Sequence, residues 1–157
     1  MNKPIKAEIV NAFVSSLREI FLASTGIESE LAPLKIATSG PPAPNMLVSI
    51  QITGQVHGPA ICSFEPEVAR EIAGRMLATD VAPEFDSPEC RDALGELANI
   101  IVGNATGALF DEGYAVQLST PTTALASTPE VLDHRSIKVS LNTRSGQVSM
   151  LLCLTQS

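Results

Sequence analysis

The chain contains no tryptophan, and its only aromatic residues are one tyrosine and five phenylalanines in 157 positions. A core made from this sequence has to be packed mainly with aliphatic side chains. At 45% hydrophobic content there are enough of them to fill one domain, and the composition argues against disorder. Basic residues are also scarce, ten against seventeen acidic ones, for a formal net charge of −7. That balance argues against nucleic acid and anionic membrane surfaces as partners. Histidine is limited to His57 and His134, and the three cysteines, Cys62, Cys90 and Cys153, form no C-x-x-C pair. Such a set reads as small apolar residues in a reduced compartment, so neither a disulfide framework nor a metal site is expected. No stretch approaches the ~18 uninterrupted apolar residues of a membrane span. The N-terminal apolar residues are interrupted by Glu8, Asn11, Arg18 and Glu19, unlike a secretory signal. The expectation is a single soluble, cytoplasmic domain over residues 1–157.

What is present is a run of well-marked elements. Residues from about 5 to 24 repeat with helical period, Ile9, Phe13, Leu17 and Ile20 on one side and Glu8, Asn11, Ser15 and Arg18 on the other, with Gly26 as terminator. Leu31 to Thr38 is a candidate strand, stopped by Gly40, Pro41, Pro42 and Pro44. Met46 to Val56 alternates Val48, Ile50 and Ile52 against Leu47, Ser49, Gln51 and Thr53. With Pro59 to Phe64 it predicts a hairpin turning at His57-Gly58. Glu65 to Leu77 reads as a helix whose acidic start and Arg75 suit the helix dipole.

After a loop over Thr79 to Phe85, Asp86 or Ser87 can cap a long helix that starts at Pro88 and runs to about Glu112. Tyr114 to Leu118 reads as a short strand and Pro121 to Thr128 as a turn or loop. Ser136 to Leu141 and the strongly apolar Gln147 to Leu154 read as strands joined by a turn at Thr143 to Gly146. Neighbouring strands with separate helices point to an α/β fold of the α+β kind, not to a parallel βαβ sheet.

The long helix carries the most informative segment, RDALGELANIIVGN over 91–104. At about 100° per residue, with Asp92 as zero, Glu96 falls near ~40°, Asn99 near ~340° and Gly103 near ~20°. Leu94, Leu97, Ile101, Ala105 and Ala108 fall on the other side, between roughly 140° and 220°. One face is therefore apolar, and the other offers two acids, an amide and a bare glycine. Asn is a poor helix former, and Gly103 and Gly107 each cost about 1 kcal/mol relative to Ala. Taken alone, such a stripe is most often a solvated helix face. Its residue types also contain no strong nucleophile. No Ser-His-Asp or Cys-His arrangement and no Gly-rich phosphate loop stands out anywhere in the chain, so stand-alone hydrolysis is poorly served.

Asp92, Glu96 and Asn99, followed by Pro121 twenty-two residues after the Asn, resemble the signature of the CheC/CheX/FliY family of chemotaxis phosphatases. The order of elements resembles CheX-type members in particular, over nearly the whole chain. The resemblance implies a CheC-like fold with an antiparallel sheet packed against long helices. It also implies that the helix completes another protein's active site, the phosphoaspartate of a CheY-type response regulator. Asn99 would position the attacking water, and Glu96 would pair with the receiver's Lys. Asp92, Gly103 and Pro121 would border or shape the docking surface. No cofactor is expected in the chain itself, Mg²⁺ being held by the response regulator.

The family's internal duplication is echoed here, since Glu8 and Asn11 repeat the spacing of Glu96 and Asn99, and Pro33 again lies twenty-two residues after the Asn. Pro4 and Ser15 stand where the second copy has Asp92 and Gly103, which favours a vestigial second site over an active one. A homodimer through sheet edges is also implied. Met150 to Leu154 is either such an edge or a central core strand. Two other readings stay open: a non-catalytic receiver-binding or adaptor module of the same fold, and an unrelated small α/β protein with a chance motif.

Overall fold

The computed structural model describes residues 3–127 and 131–157, with backbone alone over 131–135. The chain opens with β1 (Lys3–Pro4), α1 (Ala7–Thr25), β2 (Glu30–Leu31) and β3 (Lys35–Ser39). The hairpin strands β4 (Met46–Gly54) and β5 (Val56–Phe64) follow, then α2 (Pro66–Leu77) and α3 (Pro88–Asp111). The remainder is β6 (Val116–Leu118), β7 (Thr122–Leu125), β8 (Val131–Asn142), β9 (Gln147–Leu152) and β10 (Thr155–Gln156). The strand pairings are all antiparallel among the described residues. Across the sheet run β6 and β7 end to end, then β4, β5, β9 and β8, with β3 and β2 closing the far edge. The fold is thus mixed α/β of the α+β kind, as the sequence leads one to expect.

One face of this sheet forms the core with the helices. Met46, Val48, Ile50 and Ile52 of β4 are buried, as are Ala60, Cys62 and Phe64 of β5 and Val148, Met150 and Leu152 of β9. They share one apolar cluster with Ile9, Phe13, Leu17 and Phe21 of α1 and with Leu94, Leu97, Ile101 and Leu109 of α3. Each large aliphatic or aromatic side chain removed from water in this way contributes about 1.5–3 kcal/mol. α3 is central: it packs against α1, α2 and β4. By length and composition it could cross a membrane, but 56% of its most apolar window is buried inside the protein, as fits the core helix of a packed domain.

Several boundaries differ from the sequence reading. The hairpin pairs Ile52 with Gly58 and Met46 with Phe64, so the chain turns at Gln55, earlier than His57-Gly58. Gly54 supplies the turn with φ +115. Gly58 lies inside β5, where, at a φ of +129, the backbone runs so near the segment between β9 and β10 that a Cβ would sit 2.2 Å from the Cys153 carbonyl oxygen. Glycine there serves a close approach of two chains, not a turn. The expected strand over Leu31 to Thr38 is split into β2 and β3 around Pro33, which has no N–H to give to a ladder.

Of the expected loop from Pro121, Thr122–Leu125 is strand β7, because β4 offers it a free edge (Thr128 lies outside the described residues). Val116, not Tyr114, begins β6. Of the apolar stretch from Met150 to Leu154, the part up to Leu152 belongs to β9, which is hydrogen-bonded on both sides, to β5 and to β8, and Cys153 and Leu154 follow the strand. It is the central strand of the two alternatives and offers no edge to a second copy. His134 has no described side chain.

Candidate active site

α3 is set in place at both ends by local chemistry. At its start Ser87 is the N-cap, its Oγ accepting from the Cys90 N–H at 3.1 Å with Pro88 in the first turn. Asp86, the alternative cap, instead takes the Arg91 guanidinium, with Nε at 2.8 Å. At the far end Gly113 (φ +94) gives its N–H to Phe110 and Tyr114 gives its own to Leu109, the paired bonds of a glycine-terminated helix. Between these ends the buried side of α3 is Ala93, Leu94, Leu97, Ala98, Ile101, Val102, Ala105 and Leu109. Ala108, expected on that side, is exposed, because in its last turns the helix buries Ala105, Thr106 and Leu109 and so turns a different side to the core.

The register leaves Asp92, Glu96 and Asn99 exposed together, with Gly103 half-buried beside them. Among the described residues, no hydrogen bond or ion pair engages the side chain of Glu96 or Asn99. A Cβ added at Gly103 or Gly107 would meet no described atom within 4 Å, so internal packing does not require glycine at either position. The result is a convex polar ridge, not a cleft. A cavity of about 950 Å³ lies elsewhere, beside α1, lined by residues including Arg18, Glu19, Leu22 and Arg144. An amide and a carboxylate on an open ridge can enter another protein's site, but they cannot enclose a small substrate.

Behind the ridge, β7 passes α3 at Gly95, where a Cβ would lie 3.7 Å from the Thr123 methyl group. Gly95 is buried, directly before Glu96, and the sequence reading did not single it out. Pro121 is half-buried where the edge strand breaks between β6 and β7. It lies two residues before Thr123, on the segment that meets the helix next to Glu96.

The first-half copy is built differently. α1 lies against α3, and the buried Ser16 hydroxyl donates to the Ile101 carbonyl at 2.5 Å while accepting from Asn104 Nδ2 at 3.1 Å. Glu8 and Asn11 are exposed on α1, but Glu8 is engaged: Tyr114 Oη donates to its Oε1 at 2.5 Å. That bond to a carboxylate pushes the Tyr114 phenol above its usual value, because ionisation would put two negative charges together. Eighty-eight positions separate the two copies, so Glu19 stands where the second has Gly107, and a side chain covers what is bare backbone on α3.

Other chemistry finds little footing. Cys62, Cys90 and Cys153 are buried, and burial pushes the Cys62 thiol up to about 12, so it is inert as a nucleophile at neutral pH. Among the described residues no three His, Cys, Asp or Glu side chains are placed to hold a metal ion. One feature escaped the sequence reading: Phe110 is 73% exposed near the end of α3. Eighteen residues from Asp92 are five full turns, which places Phe110 near ~0° on the same stripe. Its signal in the sequence is the angular count along the polar stripe carried beyond Gly103.

Comparison with known proteins agrees with this geometry. The profile of the family described as chemotaxis phosphatase CheX matches residues 46–152. A protein of Thermotoga maritima described as the CheY-P phosphatase CheX is 28% identical over 116 residues, 74% of each chain. A CheC-like superfamily protein from Shewanella sp. PV-4 has the same fold, with a TM-score of 0.84 at 23% identity over 96% of this chain and 99% of that one. The CheX–CheY–BeF3–Mg²⁺ complex from Borrelia burgdorferi contains a similar chain, with a TM-score of 0.69 at 16% identity over 94% of this chain and 96% of that one. Since the profile covers more than half of the sequence and includes the whole of α3, the chain belongs to the CheX family of chemotaxis phosphatases.

Proposed function

We propose that this protein hydrolyses the phosphoaspartate of a CheY-type response regulator, with Asn99 and Glu96 as the working pair. The observation that carries the reading is their side-by-side exposure on α3, unengaged by described neighbours, in a member of a chemotaxis phosphatase family. The description of the Thermotoga relative as a CheY-P phosphatase and the Borrelia complex with CheY support it.

A phosphorylated receiver already contains the bond to be broken, a Lys beside it and its own Mg²⁺. What it lacks is a water held in line. On docking, the Asn99 carboxamide oxygen accepts a hydrogen bond from that water and its NH₂ donates to a phosphoryl oxygen. The water oxygen bonds to phosphorus as the bond from phosphorus to the aspartate oxygen breaks. The aspartate departs as a carboxylate, and the water's proton passes to the released phosphate or to solvent. Placing a reactant in line is worth on the order of 10²-fold or more. A loose phosphoryl-transfer transition state asks for little base strength, which suits a neutral amide. Glu96 pairs with the receiver's Lys and fixes register. Asp92 and Gly103 border the contact, and Pro121 sets the segment behind it. In this reading the protein brings no cofactor, works in the cytoplasm, and forms its homodimer through β3 or the β6–β7 edge, β9 being interior.

The test is release of phosphate from a phosphorylated CheY-type receiver with Mg²⁺. The wild-type protein is expected to accelerate it, and Asn99→Ala to abolish the acceleration while still binding the receiver. Near-normal dephosphorylation by Asn99→Ala would remove Asn99 from its assigned role. Absence of acceleration with every receiver of the same cell would leave a binding module.

A further inference from the structure

We infer that Phe110 is a second docking element of the same ridge, an aromatic anchor that the phosphorylated receiver covers while Asn99 reaches its acyl phosphate. The inference rests on the reading of Glu96 and Asn99 given above and adds a residue outside that pair.

Three of the five phenylalanines, Phe13, Phe21 and Phe64, are 0% exposed, whereas Phe110 leaves 73% of its surface in water. The ring is not a stray apolar residue on an otherwise charged surface. It stands on the meridian that carries Asp92, Glu96 and Asn99, and between Asn99 and Phe110 that side of α3 holds Gly103, Gly107 and Thr106, whose side chain is buried with its hydroxyl donating to the Gly103 carbonyl. Neither glycine is required by neighbouring atoms, and neither has the positive φ that would require glycine. Both disfavour the helix. Their shared effect is to leave the backbone of α3 bare for two turns, so that a partner can lie close against it. A helical aromatic leans toward the N-terminal end of its helix, which sets the Phe110 ring over the turn of Gly107.

The dimensions fit one receiver. Eleven residues of helix separate Asn99 from Phe110, about 16 Å along the axis. A globular chain of ~100 residues has a radius of gyration of about 13 Å and hence an outer radius of roughly 17 Å, so a single receiver centred on Asn99 spans the distance to the ring. The charges fit as well. α3 carries Glu89, Asp92, Glu96 and Asp111, and its one cation, Arg91, is held by Asp86. A receiver presenting a Lys beside its phosphoryl group meets Asp92 and Glu96 at one end of the ridge and, at the other, an aromatic ring flanked by Asp111. Buried aromatic anchors of this kind dominate binding at protein interfaces. On α1 the position equivalent to Phe110 is Leu22, itself 54% exposed, but Ser15 and Glu19 fill the positions of the two glycines. The bare approach therefore exists on α3 alone.

The test uses the full chain and a CheY-type receiver of the same cell loaded with beryllofluoride and Mg²⁺, in which the fluoroberyllate on the aspartate stands in for the phosphoryl group. For Phe110→Ala the Kd for this receiver and the KM for dephosphorylation are expected to rise by about 10-fold or more, as for an aromatic interface anchor, with kcat changed by less than ~2-fold. Phe110→Leu is expected to recover part of the affinity. Thermal unfolding of Phe110→Ala checks that the fold is intact. Wild-type Kd and KM in a folded Phe110→Ala would overturn the anchor while leaving the phosphatase reading in place. Loss of self-association in sedimentation, with receiver affinity unchanged, would assign the ring to a contact between copies and equally overturn it. A wild-type protein that neither binds nor dephosphorylates any receiver would remove the phosphatase reading, and the anchor with it. Asn99→Ala, losing kcat but not affinity, marks the difference between the two.

Discussion

Tyr114 Oη donates to Glu8 Oε1 at 2.5 Å, across the ends of two helices that repeat one motif. Glu8 and Glu96 hold equivalent places in the repeat, yet the first is engaged by a phenol and the second faces outward without a described partner. Since Tyr114 is the only tyrosine and there is no tryptophan, the absorbance of this chain between pH 9 and 12 reports one group. Its midpoint is expected above the ordinary 10.0. Glu8→Gln is expected to bring it back toward that value. A raised folded pKa means that the bond adds stability below the unfolded pKa and loses it as pH rises through the folded one. Tyr114→Phe is therefore expected to flatten the alkaline fall in stability. A Tyr114 midpoint at or below 10, read by spectrophotometric titration, would show the bond absent in solution.

Glu96 is expected to act through charge. Glu96→Gln keeps the shape of the side chain but removes the ion pair with a receiver Lys. Such charge-assisted pairs are worth about 1.5–3 kcal/mol when they are shielded from water. Dephosphorylation by Glu96→Gln is expected to fall roughly 10- to 100-fold and to lose part of its salt dependence. Kinetics across an ionic-strength series measure both, and a variant with wild-type rate and salt slope would leave Glu96 without a role.

Gly103 and Gly107 set stability against function. Gly103→Ala fills open space on a regular helix and is expected to stabilise the protein by about 0.5–1 kcal/mol, raising Tm by about 1–4 °C. Gly107→Leu is expected to be tolerated equally well by the fold and to weaken receiver binding by standing between partner and backbone. Thermal melts beside phosphatase assays of the two variants decide the matter; equal affinity in Gly107→Leu would mean that the backbone there is not approached.

Gly58 is expected to be intolerant. A Cβ would lie 2.2 Å from the Cys153 carbonyl oxygen with φ at +129. Gly58→Ala has to shift the start of β5 away from the Cys153 segment that leads into β10, at a cost of about 1–3 kcal/mol from backbone strain alone. Denaturant unfolding of the variant measures it, and a midpoint unchanged from wild type would mean that the two chains do not approach so closely.

Helices were legible in the sequence because their signals are local. The period of Ile9, Phe13 and Leu17, the cap at Ser87 and the stop at Gly26 all act within a few residues. The stripe of Asp92, Glu96 and Asn99 follows from helical geometry alone. What was not legible depends on distant partners. β7 is a strand because β4 has a free edge beside it, and no feature of Thr122–Leu125 announces that edge. Gly58 looks like a turn glycine until Cys153 is placed against it. β9 is interior because β5 and β8 flank it, a matter of topology and not of its apolar composition. Ala108 and Phe110 have the character of core residues and stand in water because α3 turns Leu109, between them, to the core and leaves its other sides open.

The Ser16 hydroxyl seated on the Ile101 carbonyl has a consequence for the cost of recognition. It ties α3 to its twin just two residues past Asn99, at a buried point, while apolar packing holds the turns on either side. Little backbone freedom is then left to lose when the ridge meets a partner. The entropy surrendered is chiefly that of a few side chains, Asn99, Glu96 and Phe110, instead of a segment at about 1–2 kcal/mol per residue. Two copies of one helix in a single chain thus divide the labour, one becoming the bench on which the other is clamped.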